Sequence, residues 1–190
     1  MRLYALIVDD FLPEFSRVRE FADAADYQPF VSSVDGVEYP LISPAPDFVS
    51  ELVHSGVEKI MGRSIDIRHT FFRASPEGVD VPNQVHNDLS MGEYSLMVYM
   101  NRRKDCTGGT SFLRHKEMGF DRNTVFDEEL EAALRDSNNP DKWEVTMTCP
   151  METNRAIIFS AELMHRAEPV GGFGSGKAAR VVLTAFFDSA

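Results

Sequence analysis

The chain has 190 residues, 43% of them hydrophobic and 11% aromatic, which is enough to bury the core of one globular domain. Its formal net charge of −11 argues against general attraction to nucleic-acid phosphates or anionic lipid, and no apolar run reaches the roughly 18 to 20 residues that cross a bilayer. The two cysteines, Cys106 and Cys149, provide neither a disulfide framework nor a C-x-x-C metal site. Because the first residues lack the features of a secretory signal, we expect one cytoplasmic domain, residues 1–190, with reduced thiols.

The first part of the chain contains one predicted strand and one predicted helix. Residues 3–8 are apolar and rich in strand-forming side chains, so they predict a strand. Apolar residues at three- to four-residue spacing over 14–25 predict a helix. Residues 26–46 include four prolines and several serines, which predict a loop that crosses the surface or the mouth of the domain.

A second helix and a change of period follow. Apolar side chains from Phe48 to Met61 recur at helical spacing, and Gly62 is a suitable stop. Residues 1–63 are therefore expected to form an N-terminal helical layer. From residue 64 onwards the pattern alternates with period two, as in a strand that places Ile65, Ile67, His69, Phe71 and Arg73 on one face. Further strands are predicted over residues 93–101, 109–115, 143–148, 155–160 and 181–187.

One segment interrupts this succession of strands. Residues 116–142 lack the alternating pattern, and Val125 to Leu134 has a helical one that ends before Ser137-Asn-Asn-Pro140. Insertions between the strands of a β-domain often carry specificity. We therefore expect this insertion to be a candidate lid or specificity element.

His86 and Asp88 form the motif that points most directly to chemistry. Side chains two residues apart lie on the same side of an extended segment, so both can face one ion. His165, far downstream, would complete a set of two histidines and one carboxylate, which suits non-haem Fe(II) and leaves positions open for other ligands. A β-barrel can return a distant strand to the same point, so the three residues predict a metal site inside such a barrel.

These residues stand in a longer succession of motifs. The motifs are His86-x-Asp88, Tyr99-Met-Asn101, Gly108-Gly-Thr-Ser-Phe112, His165-x-x-x-Pro169-Val170 and Arg180 before the last strand. Together they resemble the Fe(II)/2-oxoglutarate-dependent dioxygenases, in particular their prolyl-4-hydroxylase-like branch, over roughly residues 68 to 188. The resemblance implies a mainly β fold with N-terminal helices, a double-stranded β-helix (jelly roll) over residues 64–190.

The resemblance also implies roles for individual residues. Fe(II) would be bound by His86, Asp88 and His165. The far carboxylate of 2-oxoglutarate would be bound by Arg180, because a guanidinium binds carboxylate through two parallel hydrogen bonds. The interval from His165 to Arg180 is longer than is usual in the family, and the glycine-rich stretch 171–176 accounts for the excess. Lys177 is therefore an alternative anchor.

Contacts from one tyrosine and one threonine to the cosubstrate are also expected by family position. Tyr94 and Tyr99 are an odd number of residues apart, so only one of them can line the pocket of a regular strand. Tyr94 is favoured, with Thr184 as its companion. An anionic substrate could be held by a further arginine, and Arg73, Arg114 and Arg166 are the candidates, each of which could instead be a paired surface charge.

The implied reaction is hydroxylation of an unactivated C–H bond with O₂, releasing succinate and CO₂, with ascorbate as a candidate additional reductant. The substrate could be a small molecule, an amino acid or a prolyl residue of a peptide, and the negative charge makes a nucleobase the least favoured. Two alternatives remain open at this point. One is a cupin-like metalloprotein that uses no 2-oxoglutarate, and the other is a non-catalytic binding module on the same barrel.

Overall fold

Two antiparallel sheets, stacked face to face, form the body of the protein in a computed structural model that describes residues 4–31, 36, 38–123 and 127–190. The described strands are β1 (Ala5–Val8), β2 (Gln28–Val31), β3 (Glu38–Pro44), β4 (Ile65–Ser75), β5 (Tyr94–Tyr99), β6 (Gly109–His115), β7 (Trp143–Pro150), β8 (Ala156–Ser160), β9 (His165–Glu168) and β10 (Arg180–Ser189). The helices are α1 (Phe15–Ala24), α2 (Asp47–Met61) and α3 (Glu128–Arg135).

The order of the strands is that of a jelly roll. The large sheet has the order β1-β8-β5-β10-β4-β3-β2, and the small sheet has the order β7-β6-β9. His86 extends the small sheet through an isolated antiparallel bridge to His165 in β9. From β4 onwards the chain therefore passes repeatedly between the two sheets, which is how a double-stranded β-helix is wound. The predicted mainly β fold with N-terminal helices is confirmed.

Helices α1 and α2 cover the outer face of the large sheet, and both were predicted within two residues at each end. Their buried valines pack against side chains of β4 and β10, such as Phe72 and Leu183, and this layer is the larger hydrophobic core. A second core lies between the two sheets and contains Phe112 and Phe159. No helix in the described part of the chain combines the length and apolar character needed to cross a bilayer.

The loop predicted over residues 26–46 was wrong, because β2 and β3 form a hairpin that extends the large sheet beyond β4. Strand β2 is the edge strand of the large sheet, where not every backbone N–H needs a partner, so a proline is compatible with it. The register shifts between Gln28 and Phe30, so Pro29 interrupts no regular pairing. The described part of residues 1–63 thus contributes three strands as well as two helices.

A bulge in β4 changes which side chains face inward. The register of β4 against β10 shifts between the pairs Phe186–His69 and Phe187–Ile67, so one extra residue is accommodated at Arg68. Ile67 consequently packs on the helical side, whereas Arg73 faces the space between the sheets. The prediction that Ile65, Ile67, His69, Phe71 and Arg73 share one face was wrong for this reason.

The insertion between β6 and β7 packs on the outside of the small sheet. Leu130 and Ala133 of α3 are buried against Leu113 and Trp143 in a third hydrophobic cluster. The predicted start of this helix at Val125 lies outside the described residues. No described residue of the insertion borders the cavity between the sheets.

Candidate metal centre and adjoining cavity

His86, Asp88 and His165 come together at one end of the space between the sheets. The backbones of His86 and His165 form a reciprocal pair of hydrogen bonds of 3.0 and 2.8 Å, which fixes their relative position. Asp88 is two residues further along an extended segment, so its side chain returns to the same side. Asp88 lies 3.7 Å from Nε2 of His86 and 3.4 Å from Nε2 of His165. One ligand atom from each residue lies within 4.8 Å of the other two, which is close enough to share one metal ion.

Hydrogen bonds orient all three side chains. Nδ1 of His165 lies 2.9 Å from the carbonyl oxygen of Leu163, and Nδ1 of His86 lies 3.3 Å from that of Gln84. Because a carbonyl can only accept, each Nδ1 carries the proton and each Nε2 presents a lone pair. The hydroxyl of Ser95 donates to Oδ2 of Asp88 over 2.6 Å. The set is thus oriented as a divalent metal requires, and two imidazoles with one carboxylate suit Fe(II).

The surroundings of His86 keep its imidazole neutral. Burial, the charge of a protonated His165 and the charge of Arg73 together lower the pKa of His86 to about 4, against the opposing effect of Asp88. At neutral pH the ring is therefore unprotonated and able to bind a metal. Phe159 packs edge-on against His165 with 4.7 Å between ring centroids, which shields that ligand from water.

The insertion supports the segment that carries His86. The side chain of Asn138 accepts from the backbone N–H of Gln84 over 3.0 Å and donates to the carbonyl of Pro82 over 2.9 Å. The carbonyl of Ser137 accepts from the N–H of Val85 over 3.3 Å. The end of the insertion therefore positions a metal ligand, a role that its sequence pattern did not reveal.

A cavity of about 430 Å³ extends from the three residues between the sheets. Its walls come from β4 and β10, its mouth is bordered by the β2–β3 hairpin, and Val170 to Gly172 close one side. The hairpin supplies apolar side chains, including Phe30 and Ile42. This volume is typical of sites for small molecules.

Arg180 opens on this cavity from the start of β10. Its side chain is only 2% exposed, and its Nε and Nη2 have no hydrogen-bond partner. Burial lowers the pKa of Arg180 to about 10, so the guanidinium is still charged at neutral pH. A buried cation with unused donors is costly unless an anion joins it. The cavity therefore has the chemistry to receive a carboxylate, and Thr184 lines it on the same face of β10.

The other predicted cosubstrate contacts lie elsewhere. Lys177 is exposed, and its backbone carbonyl accepts a hydrogen bond of 2.8 Å from Arg19. Tyr94 is on the helical side of the large sheet, where it stacks on Phe187 with ring centroids 5.3 Å apart. Tyr99 faces between the sheets, as the odd spacing requires, and donates to Oγ1 of Thr110 over 2.9 Å. The structure thus does not bring Tyr94 or Lys177 to the cavity.

Of the three arginines considered for an anionic substrate, one reaches the cavity. Arg166 is paired with Glu168 over 2.7 Å, and Arg114 is exposed on β6. Arg73 lines the cavity. Sequence reasoning missed Ser95, although its position on the strand beside Tyr94 and the alternation of that strand place it on the inner face.

No family model and no curated protein matches the sequence. Several solved structures share the fold. SnoN, a non-haem α-ketoglutarate (2-oxoglutarate) dependent epimerase from nogalamycin biosynthesis, has 12% identity and a TM-score of 0.61 over 100% of this chain and 80% of that chain. EctD from S. alaskensis, with 2-oxoglutarate and 5-hydroxyectoine, has 12% identity and a TM-score of 0.57 over 99% and 73%.

A prolyl hydroxylase from Trichoplax adhaerens, in complex with a peptide fragment of the oxygen degradation domain of hypoxia inducible factor, has 15% identity. Its TM-score is 0.57 over 96% of this chain and 82% of that chain. At such low identity these similarities establish a common fold, which is the double-stranded β-helix described above.

Proposed function

We propose that this protein is an Fe(II)- and 2-oxoglutarate-dependent oxygenase that hydroxylates an unactivated C–H bond. The observation that carries the proposal is the convergence of two features on one cavity. The first is a set of two imidazoles and one carboxylate whose free Nε2 and Oδ atoms face each other. The second is the buried guanidinium of Arg180 with unused donors. Each feature by itself is compatible with several functions, whereas a metal site beside an unpaired cation suits a cosubstrate that is both a chelator and a carboxylate.

In this proposal each group in the cavity has a defined task. His86, Asp88 and His165 hold Fe(II), and Arg180 with Thr184 holds the far carboxylate of 2-oxoglutarate. When bound, iron and the oxoacid supply the oxidant. O₂ and 2-oxoglutarate are consumed, one oxygen atom enters the C–H bond as a hydroxyl, the other enters succinate, and CO₂ leaves. The protein orients the substrate and excludes water around His165 with Phe159 and Phe112.

The fold relatives agree with this assignment and leave the substrate open. EctD is described with 2-oxoglutarate and a hydroxylated small molecule, and the prolyl hydroxylase is described with a peptide. The cavity volume favours a small molecule or amino acid over a prolyl peptide. The remaining parts of the proposal are a single domain over residues 1–190, a cytoplasmic location and ascorbate as an additional reductant.

The test begins without oxygen. Purified protein is mixed with Fe(II) and then with 2-oxoglutarate, and we expect a weak visible charge-transfer band that needs both additions. Admission of O₂ should then give slow formation of succinate. The D88N variant should lack the band, and E144Q, which changes an exposed carboxylate on β7, should keep it.

The same experiment separates the alternatives. Iron binding without a band that depends on 2-oxoglutarate would support the cupin-like metalloprotein and contradict the role of Arg180. Absence of iron binding would contradict the metal site and support the non-catalytic binding module. The unpaired donors of Arg180 favour the oxygenase over both.

A further inference from the structure

The cavity contains a second guanidinium besides Arg180. Arg73 is on β4, paired with Val182 of β10, and Arg180 is paired with Ser75. The two arginines are therefore diagonal neighbours on adjacent strands, and both line the cavity. Like charges at such positions repel each other, and the presence of Arg73 indeed lowers the pKa of Arg180.

Arg73 has no ion-pair partner among the described residues. Its side chain packs over the ring of Tyr39 with 5.5 Å between the guanidinium carbon and the ring centroid. Burial lowers the pKa of Arg73, and attraction to Tyr39 and Asp88 opposes that effect. Asp88 is already committed to Ser95 and to the metal site. The guanidinium thus lies within electrostatic range of the metal centre without a carboxylate of its own.

The charges of a loaded site show what this arginine requires. Fe(II) brings two positive charges, 2-oxoglutarate two negative charges and Asp88 one more negative charge. Arg180 is matched by the far carboxylate of 2-oxoglutarate, and Arg73 then leaves the cavity with one positive charge. A net charge in a cavity lined mainly by apolar side chains is unfavourable, so a further anion would stabilise the complex.

The rest of the lining restricts the kind of anion. Around Arg73 the cavity is bordered by Phe71, Phe186 and Ile42, and Phe30 and Val170 stand at its mouth. These side chains suit an apolar body, and a strongly hydrated polyanion would lose its water there without replacement.

We propose that Arg73 binds the carboxylate of the primary substrate, which is a small amphipathic carboxylic acid. The inference rests on the oxygenase function proposed above and specifies its substrate class. Arg73 in this role is a specificity residue: it holds the carboxylate end of the acid, and the apolar side chains hold the other end.

The test compares acids with their amides in the anaerobic protein saturated with Fe(II) and 2-oxoglutarate. Calorimetric titrations would use 3-phenylpropanoate and the straight-chain acids from butanoate to octanoate, each beside its own amide. Because acid and amide have the same apolar body, their difference reports the charge interaction. We expect at least one acid to bind about 10- to 100-fold more tightly than its amide.

Variants assign that preference to a residue. R73Q should lower the affinity for the acid to that for the amide, and R73K should retain part of the preference. R114Q, at the exposed position of β6, should match the wild type. The charge-transfer band with Fe(II) and 2-oxoglutarate should remain in R73Q, which also shows that the variant is folded. The comparison of acid with amide in the wild type does not depend on any variant.

The outcomes distinguish this inference from the function on which it rests. A wild type that forms no complex with Fe(II) and 2-oxoglutarate overturns both. A wild type that forms the complex but binds acids and amides equally overturns the substrate class alone. If R73Q lowers the affinity for 2-oxoglutarate as much as R180Q does, Arg73 is a second anchor for the cosubstrate and the inference is wrong.

Discussion

The guanidinium of Arg180 is buried, which is unfavourable for an isolated charge, and its Nε and Nη2 have no hydrogen-bond partner. R180Q should raise the Kd of 2-oxoglutarate about 10- to 100-fold, because a charge-assisted pair contributes roughly 1.5 to 3 kcal/mol. K177Q should have no effect, since Lys177 is exposed. Titration of the anaerobic Fe(II) protein, followed through the charge-transfer band, measures both values.

If Arg180 had a purely structural role, its replacement would lower the free energy of unfolding. The proposed binding role predicts no such loss. In the protein without ligands the guanidinium is buried and unpaired, so its removal should leave the free energy of unfolding unchanged or raise it. Urea denaturation of R180Q and wild type without 2-oxoglutarate checks this point. A large loss of stability, or a larger effect of K177Q on cosubstrate binding, would contradict the assignment.

His86 should make the stability of the metal-free protein depend on pH. Its pKa is about 4 in the folded chain and about 6.5 when unfolded, so between these values the unfolded state binds more protons. Stability from this group is therefore fully present above pH 6.5 and is lost as the pH falls towards 4. Between pH 7 and 5 the loss should be about 1 to 2 kcal/mol.

The contribution of His86 can be isolated by difference. Unfolding free energies are measured in the presence of a chelator at pH 7 and 5 for the wild type and for H86Q, whose side chain does not titrate. The decrease should be smaller in H86Q than in the wild type. Equal decreases would show that the imidazole of His86 is not held neutral by the fold.

At the scale of elements, the turn between β9 and β10 depends on a close approach of two backbones. Gly172 has a φ of +74°, and a Cβ on it would lie 2.2 Å from the carbonyl oxygen of Ser75 at the end of β4. G172A should therefore destabilise the protein by more than the roughly 1 to 2 kcal/mol that a left-handed conformation costs alanine. Gly172 also borders the cavity, so the affinity for 2-oxoglutarate should fall as well.

Gly78 provides a matched control for this substitution. Its φ is +81°, but a Cβ there would have nothing within 4 Å. G78A thus reports the conformational cost alone, and the difference from G172A in thermal or urea unfolding reports the contact with Ser75. If both variants lose the same free energy of unfolding, the close approach at Gly172 does not contribute to stability.

At the scale of the whole molecule, the metal site should couple ligand binding to folding. His86 and Asp88 come from one segment and His165 from another, so the site exists only when the small sheet has formed. A ligand at 100 times its Kd then stabilises the folded state by about 2.7 kcal/mol. For a chain of this length that corresponds to a rise in Tm of about 5 to 10 °C.

This rise should be seen when Fe(II) or Mn(II) is added to chelator-treated protein, and it should be absent in D88N. The exposed-carboxylate variant E144Q should respond as the wild type does. A shift of equal size in D88N would mean that the metal stabilises the protein from another position.

The local patterns of the chain determined much of this structure. Helices α1 and α2 follow from periodicity alone, because each has one face on a core and the other on solvent. The pairing of His86 with Asp88 on one side is likewise a local property of extended backbone. The third member, His165, and the cation Arg180 followed from the family resemblance together with their place beside predicted strands.

The tertiary structure decided the remaining features, because they depend on contacts between distant segments. The hairpin of β2 and β3 forms only because β4 offers an unpaired edge to a proline-rich segment. The bulge at Arg68 follows from the register of β4 against β10, and after it Arg73 faces the cavity. The packing of the sheets also determined that Tyr99 faces between the sheets while Tyr94 faces the helices. It likewise determined that the insertion supports the His86 segment from outside. The periodicity of the sequence specifies which residues share a face of a strand or helix. Only the packing of the sheets specifies which other surface that face contacts.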